Sequence, residues 1–243
     1  MSHSFEGPDA FGPDRASFLR IAGLGFGAAC VGGPLAASAA GAGPPSHASS
    51  PAEALQLLVE GDARFTAGAP VNCGTQTARM VKLSEGQNPF VIILGCSDSR
   101  VPNDTIFDQQ PGSIFSVRVA GNYVTSDGLG SIEYGVAALK SMLIVVLGHQ
   151  GCGAVKAAIG FVKDGTTQPG HIADVVAAIT PAAMATKGMP GDWLTNAIEE
   201  NVKLSVQSLT ARSAILRDAK ASGAINIVGG VYNIETSKVA FLE

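Results

Sequence analysis

The stretch Phe90-Val-Ile-Ile-Leu94-Gly95-Cys96-Ser-Asp98-Ser-Arg100 joins a short, wholly apolar run to a glycine, then sets out a thiol, a carboxylate and a guanidinium on alternate residues. A continuous apolar run of this length, bounded by turn residues, fits a strand covered on both faces. Three similar runs follow, Ile114 to Val119, Met142 to Leu147 and Ile225 to Val231. Lys238 to Leu242 reads as an edge strand after the turn Glu235-Thr236-Ser237. Helical patterns lie between the runs: Leu129, Ile132, Val136 and Leu139 share one face, and a helix is expected from Trp193 to about Arg217. Phe161 to Gly191 reads as an insertion holding a helix from Ile172 to Met184. Strands alternating with helices predict an α/β fold. Its core is a mostly parallel central sheet of about four strands plus an antiparallel edge strand, flanked by helices.

An N-terminal helical arm precedes the sheet. Ser50 can cap it, Pro51 fits its first position, and Glu53 completes a capping box. Leu55, Leu58, Val59, Asp62 and Phe65 then give a mostly apolar stripe. The folded domain is therefore expected over residues 51–243. The first 39 residues have a different character. Arg15 and Arg20 flank Phe18-Leu19, a Gly/Ala-rich, weakly apolar stretch follows from Ile21, and Ala37-Ser38-Ala39 offers a small-residue cleavage site. This segment resembles an export signal. Its Arg15-Ala-Ser-Phe-Leu-Arg20 resembles the twin-arginine type, with Ala16 in place of the second arginine. Residues 40–50 read as a Gly/Pro/Ser linker. Export implies a periplasmic or secreted protein; a tail on a cytoplasmic protein is the alternative. No apolar run is long and clean enough for a membrane span after signal removal.

At 243 residues, 46% of them apolar, the chain can bury one substantial core. A net charge of −4, with charged residues at 15%, argues against a polyanion-binding surface and so against nucleic acid as a partner. Cysteines at positions 30, 73, 96 and 152 show no regular spacing. That argues against a disulfide framework and leaves metal or redox chemistry open.

A second stretch, Leu147-Gly-His149-Gln-Gly151-Cys152-Gly153, also follows directly on an expected strand. In open parallel sheets the ligand crevice lies beyond the carboxyl ends of the strands, so Cys96, Asp98, His149 and Cys152 are expected to converge there. Two thiolates and an imidazole suit zinc. With a water in the fourth position they make a catalytic site; with a fourth protein ligand, for which Cys73 is the spare thiol, they make a closed structural one. Asp98 and Arg100 form either a bidentate fork beside the metal or a surface pair in a turn.

Cys96-x-Asp98-x-Arg100 followed by His149-x-x-Cys152 resembles the zinc signature of the beta-class carbonic anhydrases. The resemblance extends through Pro111-Gly112, Arg118-Val-Ala-Gly-Asn122, Ser131-Ile-Glu-Tyr-Gly135 and Gly148-His-x-Gly-Cys-Gly153, and covers residues 53–243. It implies one zinc ion per subunit, held by Cys96, His149 and Cys152, and a homodimer or homotetramer. It also implies reversible hydration of CO2 to bicarbonate and a proton by zinc-bound hydroxide. Asp98 and Arg100 become the catalytic pair: an ionised carboxylate only accepts hydrogen bonds, so Asp98 can orient the hydroxide while Arg100 keeps the carboxylate off the metal. Two thiolates leave the zinc water less acidic than an all-histidine site would, so alkaline pH should favour hydration.

The same resemblance implies a substrate contact from Gln110 across the dimer interface, with Phe115 and Tyr232 lining the pocket. Ile93 stands where members that can shut their site carry a tryptophan, which implies an open site. Two other functions fit the same ligands: hydrolysis of carbonyl sulfide or carbon disulfide, and a non-catalytic zinc-binding sensor or interaction module. The module has no use for Asp98 and Arg100.

Overall fold

Five strands form on the five runs: β1 (Val91–Gly95), β2 (Ile114–Arg118), β3 (Leu143–His149), β4 (Asn226–Asn233) and β5 (Lys238–Leu242). They make one sheet in the order β2-β1-β3-β4-β5, with parallel pairing throughout except for the antiparallel edge pair β4–β5. The computed structural model describes residues 47–72 and 77–242. The export signal read at 1–39, most of the linker, Cys30 and Cys73 lie outside the described residues.

The helices are α1 (Pro51–Thr66), α2 (Thr77–Leu83), α3 (Asn103–Ile106), α4 (Ser126–Ala137), α5 (Gly153–Asp164), α6 (Ile172–Ala185), α7 (Trp193–Arg212) and α8 (Ala214–Ala221). Strand alternation assigns them to two layers. Val91 and Ile93 of β1, with Leu143, Val145 and Leu147 of β3, pack with Ala54, Leu57 and Leu58 of α1. Ile92 and Leu94, with Ile144 and Val146, pack with Leu129, Ile132 and Val136 of α4 and Val202 and Leu209 of α7. The two central strands are buried on both faces, which is why they read as unbroken apolar runs. Each such side chain contributes roughly 1.5–3 kcal/mol of transfer free energy.

Several local expectations are corrected. Ser50 does cap α1, its Oγ accepting the Glu53 N–H at 3.2 Å. The Glu53 carboxylate, however, accepts from the N–H and Oγ of Ser49, so the return half of the capping box lands one residue early. Val59 is 41% exposed and lies off the buried stripe; Leu58 is buried as expected, together with Ala54, Leu57 and Gly61. Leu139 falls beyond the end of α4. The helix expected from Trp193 to Arg217 is two helices. Ser213 between them is extended, its Oγ accepting the Leu216 N–H to start α8 and donating to the Glu133 carboxylate.

Candidate metal centre

Cys96 follows β1, His149 ends β3, and Cys152 is the N-cap residue of α5, so two neighbouring strands and one helix start deliver the three ligands to one place. Their ligand atoms all lie within 4.8 Å of one another and all three residues are buried. Gly148 lets β3 deliver His149 under α7: a Cβ there would stand 2.7 Å from Cγ2 of Val202. Cys96 and Cys152 are free thiols. Their contact lowers the pKa of Cys96, against the opposing effect of burial and with help from His149 and the Gly121 N–H. The same contact, together with burial, pushes Cys152 up. Two buried sulfurs this close to each other and to an imidazole are a site for a divalent cation, which can stabilise both thiolates at once.

The imidazole points to the same conclusion. Nδ1 of His149 lies 3.0 Å from the Gln150 carbonyl, which can only accept, so Nδ1 carries the proton. Nε2 is then a bare lone pair, and it is fully buried without a hydrogen-bond partner. Such an atom is costly unless a ligand completes it. A buried lone pair facing two thiols fits zinc, with Cys96, His149 and Cys152 as three of four tetrahedral ligands.

Asp98 stands beside this set, its Oδ2 3.8 Å from Nε2 of His149. Arg100 occupies both of its oxygens: Oδ1 accepts from the backbone N–H and Nε of Arg100 at 3.0 and 2.9 Å, and Oδ2 from Nη2 at 2.8 Å. The Arg100 side-chain hydrogen bonds are the main reason the Asp98 pKa lies well below the usual carboxylate range, burial opposing them. The carboxylate is therefore held in its ionised form by Arg100.

The structure thus brings Cys96, Asp98, Arg100, His149 and Cys152 together as the sequence implied. The other three expected site residues lie outside this cluster in the single chain. Gln110 is half-buried in the turn before β2, its carbonyl accepting the Ser113 N–H. Phe115 packs into the layer around α4, 6.3 Å ring to ring from Tyr134. Tyr232 pairs with His149 in the β3–β4 register and its carbonyl accepts the Gln150 N–H. Its side chain, 4% exposed, belongs to the core layer around α1.

Sequence reasoning gave no role to three residues that shape the centre. Arg118, at the end of β2, donates from Nε to the Cys96 carbonyl at 2.8 Å and from Nη2 to the Asp98 carbonyl at 2.6 Å. Gly121 donates its N–H to Sγ of Cys96 at 3.3 Å. Asn201 of α7 donates to the Gly121 carbonyl. Arg118 and Gly121 were visible only as members of the Arg118–Asn122 motif; Asn201 carried no signal.

A thiolate-imidazole-thiolate set at the carboxyl edge of a parallel sheet, with an arginine-held aspartate beside it, defines a zinc enzyme of the α/β class. The family model described as carbonic anhydrase matches residues 91–239. The chain is 39% identical over 189 residues to Carbonic anhydrase 2 of Mycobacterium tuberculosis, covering 78% of this chain and 91% of that one. It is 37% identical over 191 residues to the carbonic anhydrase of Mycolicibacterium smegmatis, covering 79% and 93%. Among solved structures, it superimposes on a beta-carbonic anhydrase of Sordaria macrospora with a TM-score of 0.61 at 27% identity, covering 69% and 87%. The Coccomyxa beta-carbonic anhydrase in complex with acetazolamide gives 0.60 at 28%, covering 77% and 86%. The chain belongs to the carbonic anhydrase family, in its beta class.

Proposed function

We propose that this protein catalyses the reversible hydration of CO2 to bicarbonate and a proton, with one zinc ion per subunit on Cys96, His149 and Cys152. The observation that carries the reading is the buried set of Cys96, His149 and Cys152 beside an ionised, arginine-held Asp98. Zinc, when bound, acidifies a coordinated water and so supplies a nucleophile near neutral pH. The chain's own residues do the rest. Asp98, having no proton to give, accepts a hydrogen bond from the nucleophile and thereby fixes where its remaining lone pair points. Arg100 engages both carboxylate oxygens and keeps Asp98 from taking the fourth position itself. The Gln150 carbonyl fixes the tautomer and orientation of His149.

Gln110 is read as the substrate contact offered across a dimer interface, and Phe115 and Tyr232 as pocket lining in the assembled enzyme. β2 is an edge strand with Ser116 and Arg118 exposed, which supports a homodimer built on that edge, paired further into a tetramer as in the Sordaria macrospora relative. Residues 1–39 are read as an export signal that takes the enzyme to the periplasm or outside the cell. No helix among the described residues is long and apolar enough to cross a membrane. A reporter fused to residues 1–50 tests the route: retention in the cytoplasm removes the export reading.

Stopped-flow CO2 hydration against pH, on zinc-loaded protein with Asp98→Asn beside it, tests the activity. The expected result is hydration that rises with pH and falls about 100-fold in the variant. Negligible hydration across that range with zinc bound would discard the proposal.

A further inference from the structure

We propose that Asn201 is a positioning residue of the metal centre, which sets the hydrogen bond received by the Cys96 sulfur although it lies 80 residues from the nearest loop it touches. It sits on α7 with only 3% of its surface exposed. Its Nδ2 donates to the Gly121 carbonyl at 2.8 Å, and the N–H of the same glycine donates to Sγ of Cys96 at 3.3 Å. The glycine is the hinge between the two bonds. Its φ is +81° and that of Asn122 after it is +45°, left-handed conformations that glycine adopts freely and asparagine tolerates.

The walls around Gly121 position it sterically but not rotationally. Cδ1 of Ile179 from α6 and Cβ of Ala154 from α5 would stand 2.3 and 3.1 Å from a Cβ at this position, which fixes where the glycine is. They are apolar and bond neither its N–H nor its C=O; within the loop, the peptide unit that carries the C=O is held by the Asn122 N–H, which donates to the Val119 carbonyl at 3.0 Å. Asn201 adds a side-chain anchor on that peptide unit from α7, so that only the φ and ψ of Gly121 separate a held unit from the N–H that meets the sulfur.

An N–H···S hydrogen bond draws electron density from a thiolate, leaving it a weaker donor to a metal. Without the Asn201 anchor the Gly121 amide swings away, Cys96 becomes the richer donor, and the metal becomes the weaker acid. An asparagine that only satisfied a buried loop carbonyl would cost stability when replaced and leave the sulfur unchanged.

The inference rests on Cys96 being a metal ligand, so the test reads both. Cobalt(II) is substituted into wild type, Asn201→Leu and Ser205→Ala, the last a buried position one turn along α7 as control. In Asn201→Leu the thiolate-to-cobalt charge-transfer band is expected to move to longer wavelength, and the pH midpoint of CO2 hydration in the zinc form to move upward. Ser205→Ala should match wild type in both. Asn201→Ser, too short to reach Gly121, is read by the same criteria if Asn201→Leu does not fold. Wild-type protein that takes up no cobalt would remove the metal centre and this inference with it. Cobalt taken up with the same band in every variant would overturn the role of Asn201 alone.

Discussion

Gly121→Ala adds a single carbon at the junction between the Cys96 loop, α5 and α6, and the structure sets its cost. A left-handed conformation costs a residue with a Cβ about 1–2 kcal/mol, and φ at this position is +81°. The new carbon would lie 2.3 Å from Cδ1 of Ile179 and 3.1 Å from Cβ of Ala154. The tip of an isoleucine is flexible in principle, but Ile179 is fully buried among Val155, Ala158, Val176 and Ala183, so a new rotamer has little space. Forcing a carbon into a packed core costs about 1–3 kcal/mol. Together the two effects destabilise by about 2–5 kcal/mol. Gly130→Ala is the matched control. It lies inside α4, exposed, with nothing within 4 Å of the added carbon, so it should stabilise by about 0.5–1 kcal/mol. Denaturant unfolding of both variants at one protein concentration, with zinc bound, measures the difference. A Gly121→Ala cost below about 1 kcal/mol, within the range of an ordinary point mutation, would refute the claim that this glycine is required by backbone and packing.

Arg100→Ala should separate stability from activity. Its side chain is 55% exposed, so unfolding free energy should change by less than about 1 kcal/mol, while CO2 hydration falls about 100-fold as the released Asp98 takes the open position. Wild-type hydration in that variant would sink the holding role. Removing zinc with a chelator should lower the melting temperature, and restoring zinc to about 100 times its Kd should return roughly 2.7 kcal/mol; equal restoration by magnesium would contradict a thiolate site. Burial raises the Asp62 pKa above the ordinary carboxylate value, against the Val239 N–H and the Lys238 charge. Because the folded state disfavours the ionised form, stability falls as pH rises from the unfolded pKa through the folded one and stays lower above it. Asp62→Asn keeps an acceptor for Val239, so it should melt above wild type at neutral pH, with the gap closing below about pH 4; a gap independent of pH would count against the burial penalty.

The strands and ligands could be read from the sequence because each is a local feature. β1 and β3 are buried on both faces, which selects for unbroken apolar runs, and their ends carry the ligands because that is where a parallel sheet opens. The helix patterns were weaker guides. Leu209 and Leu216 keep the same spacing across Ser213 that one continuous helix would have, and the break is decided by the Ser213 hydroxyl finding Glu133, 80 residues earlier in the chain. The ties around the metal centre follow the same logic. Arg118 and Asn201 act on the carbonyls of Cys96, Asp98 and Gly121, and a backbone carbonyl is identical at every residue, so no local pattern marks the side chain that will bind it. Zinc ligands can be recognised by residue type because coordination demands sulfur and imidazole. The residues that aim those ligands need only a donor at the right distance, which many side chains supply, and only the folded chain shows which one does.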